Sequence, residues 1–330
     1  MTGPSVYLDY NATTPIDPQV LKVMLPYLTQ EYGNPSSGHS LGKRAKSAVE
    51  DARSQVAFLL GCKEAEVVFT SGVTEVPVDS FGSVDPPDVA GAIRHDTILV
   101  TIMHANNEVG TIQRIKEIAA IAFDRGIPMH TDAAQSAGKI PVRVGELGVN
   151  MLTMAGHKVY APKGVGALYV GGNLALEPLM HGAGHESGRR AGTENVAGIV
   201  GLGMACHIAG QDIEKSRKRA TSLRDRLHHG ILKLTGKAVL NGHPTERLPN
   251  TLNMSFLGLN GADILAGMPE VAASTGSACH DRQLAVSGVL LAMGADEKRG
   301  AGSVRFSLGR YTTEQDIDLV LDRLGLMLKN

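Results

Sequence analysis

The chain has 330 residues, 43% of them apolar and 20% charged, and 32 basic residues balance 33 acidic ones to a net charge of −1. That composition suits a folded protein with a large core and room for two domains. It lacks the clustered positive charge that nucleic-acid phosphates or anionic membrane surfaces select. Seven Tyr, six Phe and no Trp leave little for base stacking, and no apolar run is long enough to cross a bilayer. Nucleic acid and membrane are therefore not expected partners. Cys62, Cys206 and Cys279 are too widely spaced for a disulfide framework or a CxxC zinc site, so no metal is expected. The opening MTGPSVYLDYNATTP has no charged stretch leading into an apolar one, which predicts a cytoplasmic protein.

Residues 43–60 place apolar side chains at 45, 48, 49, 52, 56 and 59, the spacing of an amphipathic helix, and Gly61 offers a left-handed stop. EVVFT (66–70) reads as a buried strand, followed by a short helical stretch and a strand at 98–103. The turn ANNEVGT leads into a helix near 114–125 and then a strand ending at Asp132. Strands near 151–155 and 165–170 follow, then an apolar helix at 196–208 and a charged one from about 212 to 235. Beyond it come TLNMSF, VRFSL and a last helix at 314–328. Strands alternating with helices predict an α/β fold with a mostly parallel sheet, and the change of pattern places a domain boundary near residue 210.

An α/β sheet keeps its ligand outside the carboxyl ends of its strands. Asp132 ends one strand in HTDAAQS, and Lys158 ends another in MAGHKVYAPKG. Either alone reads blandly, as a helix cap and a surface lysine. Together, with Gln135 and His157 beside them, they point to pyridoxal phosphate. A lysine amine forms the Schiff base and an aspartate pairs with the pyridinium nitrogen. TSGVTE (70–75) leaves a strand and offers backbone N–H groups and the Thr74 hydroxyl to a phosphate, with a helix expected to follow. Cys279, among small residues in AASTGSACHD, is expected to be an accessible thiolate. Cys62 and Cys206 read as inert packing. Arg305 alternates with apolar neighbours, so an inward-facing guanidinium there needs an anion, which a substrate carboxylate supplies.

LDYNATTP, YGNPSSGH, TSGVTE, HANNEVGTIQ, TDAAQSAGKI, GHKVYAPKGVGALYV, RRAGTEN, STGSACH and VRFSLGR together resemble the cysteine desulfurases of the class V aminotransferase group, over nearly the whole chain. The resemblance implies the fold type I architecture of pyridoxal phosphate-dependent transferases. A large cofactor domain is expected at 15–210, and a smaller α+β domain at 211–330 joined by the N-terminal segment 1–14. It implies Lys158 as the Schiff-base lysine, Asp132 as the partner of the ring nitrogen, and Gln135 and Asn107 as contacts of the phenolic oxygen and substrate. Val73, Thr74 and His157 resemble phosphate ligands, with Thr193 acting across a homodimer interface. Asn34 and Arg305 resemble the substrate carboxylate clamp, and Cys279 the persulfide-carrying nucleophile, on a long loop that delivers sulfur to an acceptor such as an iron–sulfur scaffold. The implied substrate is L-cysteine, released as alanine. Selenocysteine lyase and a catalytically impaired scaffold of the same family are the alternatives.

Two departures from the family pattern stand out. Ala155 occupies the place of a serine that gives the phosphate a hydroxyl. TSGVTE runs directly into VPVDSFGSVDP, so at least one strand–helix unit and the histidine that stacks on the cofactor ring are absent after Glu75. His104, in the HANNE motif, is not a replacement for it by sequence.

Overall fold

The structure, a computed structural model, describes residues 6–31, 35, 40–70, 78–172, 174–178, 181, 182, 184–275 and 286–328. The strand β1 (Val6–Tyr7) opens it, followed by helices α1 (Pro18–Thr29) and α2 (Ser40–Leu60). Helix α2 ends at Gly61, whose φ of 67° is the left-handed stop the sequence predicts. Then come β2 (Val67–Thr70), α3 (Pro86–Ala92), β3 (Val100–Met103), α4 (Ile115–Asp124), β4 (Met129–Asp132), α5 (Val144–Leu147), β5 (Met151–Ala155) and β6 (Gly166–Val170). These five strands form one sheet in the order β2-β6-β5-β4-β3. Only β6 runs against the others, so the sheet is mostly parallel, as the α/β pattern predicts. Among the described residues β3 pairs only with β4, so it forms the sheet's edge.

Helix α6 (Val196–Gln211) is apolar on every side and lies against α1 and α2, completing the first core. A Cβ added at Gly203 would stand 2.5 Å from the Ala52 Cα, so glycine is what lets α6 approach α2 so closely.

Helix α7 (Ile213–Leu234) carries the chain to a second core. There β7 (Ala238–Asn241) and β8 (Thr251–Phe256) are followed by α8 (Gly261–Ala266), β9 (Val271–Ala272), α9 (Gly288–Ala292) and α10 (Glu297–Ala301). Strand β10 (Ser303–Ser307) and helix α11 (Glu314–Met327) end the fold. The antiparallel sheet has the order β10-β8-β7, and β1 pairs with β9. Alternation sorts the two faces of this sheet. Leu252, Met254, Phe256, Val304 and Phe306 join Leu223, Leu227, Ile231 and the N-terminal Val6 and Leu8 in the core. Thr251, Asn253, Ser255, Ser303 and Arg305 take the other face, bonded partly among themselves and partly to the loop after β3 and to Asn11. Gly110 in that loop has φ 80°, and a Cβ there would stand 2.9 Å from the Thr251 Cβ. The loop therefore sits directly on β8.

Candidate active site

The carboxyl ends of β3, β4 and β5 converge on the N-terminal segment 9–14. Lys158 lies in the 3₁₀ turn Gly156–Lys158 immediately after β5, and its Nζ donates to the carbonyls of Asn11 (2.5 Å) and Ala12 (2.9 Å). Asp132 is the last residue of β4, the neighbouring strand. Its Oδ1 accepts from the Ala134 N–H at 2.8 Å, the helix-cap type of contact, and its other oxygen has no partner among the described residues. Burial pushes the Asp132 carboxyl above the usual range, although Lys158 and the Ala134 N–H oppose the shift. Burial and the Arg305 charge push the Lys158 ammonium below its usual range, against Asp9 and Asp132. His157 is lowered by burial and by the Lys158 charge, and its Nδ1 lies 3.3 Å from Thr13 Oγ1.

Gln135 is buried in the turn after β4; its Nε2 donates to the Asn11 carbonyl at 3.1 Å and its Oε1 accepts from Lys139 Nζ at 3.0 Å. Asn107, in the loop after β3, presents its carbonyl to Asn11 Nδ2 (3.1 Å) and Arg305 Nη1 (3.2 Å). Arg305 is 2% exposed. The anion the sequence demands for it is present within the chain: Nη2 binds Asp9 Oδ1 at 2.6 Å. Its Nε is buried with no hydrogen-bond partner among the described residues, one donor still aimed at nothing. Thr193 is exposed, in a small cavity with Arg190 and Glu194, and makes no hydrogen bond to Lys158, Asp132 or His157. Asn34, Val73, Thr74 and Cys279 lie outside the described residues, as does the start of the loop after Cys279. The helix expected directly after TSGVTE is not found among the described residues: 78–85 form turns and irregular backbone, and the next helix, α3, opens only at Pro86.

Cys62 and Cys206 behave as inert thiols: burial pushes Cys62 up to about 12, and Cys206 is fully buried and pushed higher. His104 is buried with Nδ1 2.9 Å from Ser136 Oγ, and burial lowers it to about 4, so it is a neutral packing histidine.

Sequence reasoning assigned no role to Asn11, Asp9 or Lys139, although two of the three stand in the quoted LDYNATTP motif and the third in TDAAQSAGKI. Asn11 is 1% exposed and is the hub of the site. Its Oδ1 accepts from Asn250 (3.0 Å) and Lys139 (3.3 Å), and its Nδ2 donates to Thr251 Oγ1 (2.8 Å) and the Asn107 carbonyl. Two cavities flank this hub. One of about 400 Å³ is lined by Thr13, Ala155, His157 and Gly164. The other, about 490 Å³, lies between the two cores and is lined by Lys139, Lys158, Tyr160, Asn250 and Arg310. The larger shares only Lys158 with the expected cofactor contacts, so volume alone does not locate the cofactor.

The donor set fits pyridoxal phosphate. A lysine held below its usual range on carbonyl oxygens alone is available to an aldehyde, and an aspartate with one unengaged oxygen sits at the adjacent strand end.

Fold and site define an α/β transferase of the pyridoxal phosphate type. The profile of the class-V aminotransferases matches residues 6–76 and 73–320, and the chain belongs to that family, whose members use pyridoxal phosphate. A protein of Dictyoglomus turgidum called cysteine desulfurase IscS is 42% identical, over 98% of this chain and 94% of its own length. A solved NifS-like protein superposes with a TM-score of 0.90 at 33% identity, over 98% of this chain and 99% of its own. A structure titled SspA in complex with cysteine superposes with a TM-score of 0.80 at 32% identity, covering 94% of this chain and 100% of its own. The Dictyoglomus alignment runs over 372 positions, 42 more than this chain has residues. The family match breaks at 73–76, the point where the sequence lacks its strand–helix unit.

Proposed function

We propose that the protein is a pyridoxal phosphate-dependent cysteine desulfurase, taking L-cysteine to alanine and a Cys279 persulfide that serves iron–sulfur or thio-cofactor assembly. The observation that carries the reading is the pair Lys158 and Asp132 at adjacent strand ends, with burial and the Arg305 charge holding the Lys158 ammonium below its usual range. When bound, pyridoxal phosphate supplies a sink for the electron pair left as a substrate loses its α-proton. Every other task falls to the chain. Lys158 Nζ, uncharged, holds the cofactor and carries the α-proton. The free oxygen of Asp132 offers negative charge to the ring nitrogen. The unengaged Arg305 Nε, beside the Asp9-bound Nη2, gives the substrate carboxylate a donor. The Cys279 thiolate attacks the substrate sulfur; the C–S bond electrons go to the substrate carbon, which takes a proton to become alanine, and sulfur stays on Cys279.

Two cores support a division into a large domain at 15–210 and a small one at 211–330 joined by residues 1–14. The exposure of Thr193, away from its own Lys158, supports a homodimer in which it serves the other subunit's phosphate. The absent unit after Glu75 favours a second reading, a scaffold that keeps the fold and binds cofactor poorly. Titrating pyridoxal phosphate into the protein while following visible absorbance and alanine release decides between them. The desulfurase reading expects a saturable chromophore and alanine from L-cysteine, both lost in Lys158→Ala. A wild-type protein with no chromophore and no alanine overturns it in favour of the scaffold.

A further inference from the structure

We infer that Tyr160 is a positioning residue for Lys158: a large side chain in a backbone conformation that suits glycine, held there by the second core so that the lysine-bearing turn keeps its shape. The inference rests on the reading of Lys158 as the reacting amine. The turn runs from Gly156 to Ala161. The Ala161 N–H bonds the Gly156 carbonyl at 3.1 Å, the contact that closes a helix end around a left-handed residue. Glycine is the usual occupant of that place. Here it is Tyr160, with φ 72°. Left-handed backbone presses Cβ against the following carbonyl, and a bulky residue persists there only where its surroundings over-determine it.

Two sets of contacts supply that hold. On the backbone, Thr14 Oγ1 accepts from the Tyr160 N–H and donates to the His157 carbonyl, both at 3.1 Å. The Asp17 N–H bonds the Tyr160 carbonyl, also at 3.1 Å. On the side chain, the Tyr160 hydroxyl accepts from the Arg310 N–H at 2.5 Å, and the Arg310 guanidinium lies 4.4 Å over the ring centre. The Tyr311 ring meets the Tyr160 ring edge-on at 5.8 Å. Residues 310 and 311 follow β10 of the second core and are themselves fixed. Arg310 pairs with Asp17, Tyr311 donates to the same carboxylate at 2.8 Å, and Arg219 of α7 donates to the carbonyls of Arg310 and Thr312. Thr14 and Asp17 continue the N-terminal segment whose Asn11 and Ala12 carbonyls hold Lys158 Nζ. The strain thus sits two residues from Lys158, and the side-chain contacts that offset it come from the other core. When residues 310 and 311 part from Tyr160, the strain is opposed by the backbone bonds alone and the turn carrying Lys158 loosens. Docking of the two units therefore sets the amine.

The test is amide hydrogen exchange over residues 156–161 of the full-length, cofactor-free protein, alongside borohydride trapping of pyridoxal phosphate on Lys158. Tyr160→Ala keeps the Cβ penalty and loses the hold, whereas Tyr160→Gly loses both. Exchange of the turn is expected to be roughly 5- to 30-fold faster in the alanine variant than in the glycine one. The cofactor concentration that half-traps Lys158 is expected to rise in the same order, lowest in the wild type and highest in Tyr160→Ala. A packing role alone gives the opposite order, since glycine loosens a turn that has no need of it. Arg310→Ala is expected to speed exchange of the turn when Tyr160 is present, and far less in the Tyr160→Gly background. Exchange that is equal in the two variants, or faster with glycine, overturns the inference. So does an Arg310→Ala effect of the same size in both backgrounds, a comparison that needs no alanine variant at 160 to fold. Half-trapping concentrations that stay put while the exchange rates change overturn it as well. A wild type that traps no cofactor on Lys158 overturns the underlying reading and this role with it, and the exchange order, which needs no cofactor, tells that failure from one at Tyr160.

Discussion

Replacing Asn11 by alanine removes four hydrogen bonds from a side chain that is 1% exposed. None of the four partners is left wholly bare. Asn250 Nδ2 keeps the Leu308 carbonyl at 3.1 Å, Lys139 keeps Gln135, the Asn107 carbonyl keeps Arg305, and Thr251 Oγ1 keeps a long contact to Asn250. Each lost bond therefore belongs at the lower part of the ~0.5–1.5 kcal/mol range for buried pairs, and the four together cost about 2–4 kcal/mol. A chain of 330 residues unfolds with an entropy near 0.7 kcal/mol/K, so the midpoint is expected to fall by about 3–6 °C. Thermal melts followed by far-UV circular dichroism, on matched wild-type and Asn11→Ala protein, measure it. The partners span both cores and the N-terminal segment, so the melt is expected to stay a single transition at the lower temperature. A midpoint within about 1 °C of wild type would mean that the hub contributes no net stability, and the account of how the two cores are tied would fail.

His104 gives a pH dependence of definite sign. Its folded-state value of about 4 lies below the unfolded 6.5, so its contribution is complete above about pH 6.5 and is lost as pH falls towards 4, about 3 kcal/mol in all. Urea melts at pH 7 and pH 4.5 should show a smaller loss for His104→Gln than for wild type; an equal loss contradicts the assignment. Gly203→Ala forces a methyl against the Ala52 backbone of α2, expected to cost ~1–3 kcal/mol less the ~1 kcal/mol gained in helix propensity; a raised melting midpoint refutes the close packing of α2 on α6. Cys279→Ser should keep the chromophore and release no sulfur from L-cysteine, and sulfide release at the wild-type rate removes Cys279 from the mechanism.

Much of this fold is readable in the sequence because its elements carry strong local signals. The 3.6-residue spacing through α2, the left-handed Gly61 and the polar turns after β4 and β5 all declare themselves within a few neighbours. Strands β7 and β9 and helices α8 to α10 are only two to six residues long, too short for a local period to mark them, and β9 is paired with β1 from the far end of the chain. The site divides the same way. Lys158, Asp132 and Gln135 announce themselves at strand ends. Asn11 and Lys139 do not, because an asparagine and a lysine acquire meaning only when residues 11, 139 and 250 meet in space. Arg305 shows the limit from the other side: alternation says that it points inward and needs an anion, and only the fold reveals that Asp9 is already there.

A strand with one neighbour opens more readily than a strand with two, since each rung on its free side is left to water. Among the described residues β3 is such a strand, and the loop it feeds holds Asn107. The support that an adjoining strand would give comes instead from the second core, through Arg305 on the Asn107 carbonyl, Asn253 on the Glu108 carbonyl at 3.3 Å, and Gly110 against Thr251. Amide protons of β3 and of residues 104–112 should therefore exchange together with those of β8, on one timescale. Parting of the two units and fraying of the sheet become a single opening event, and whatever holds the units closed also sets the order of the loop that carries Asn107.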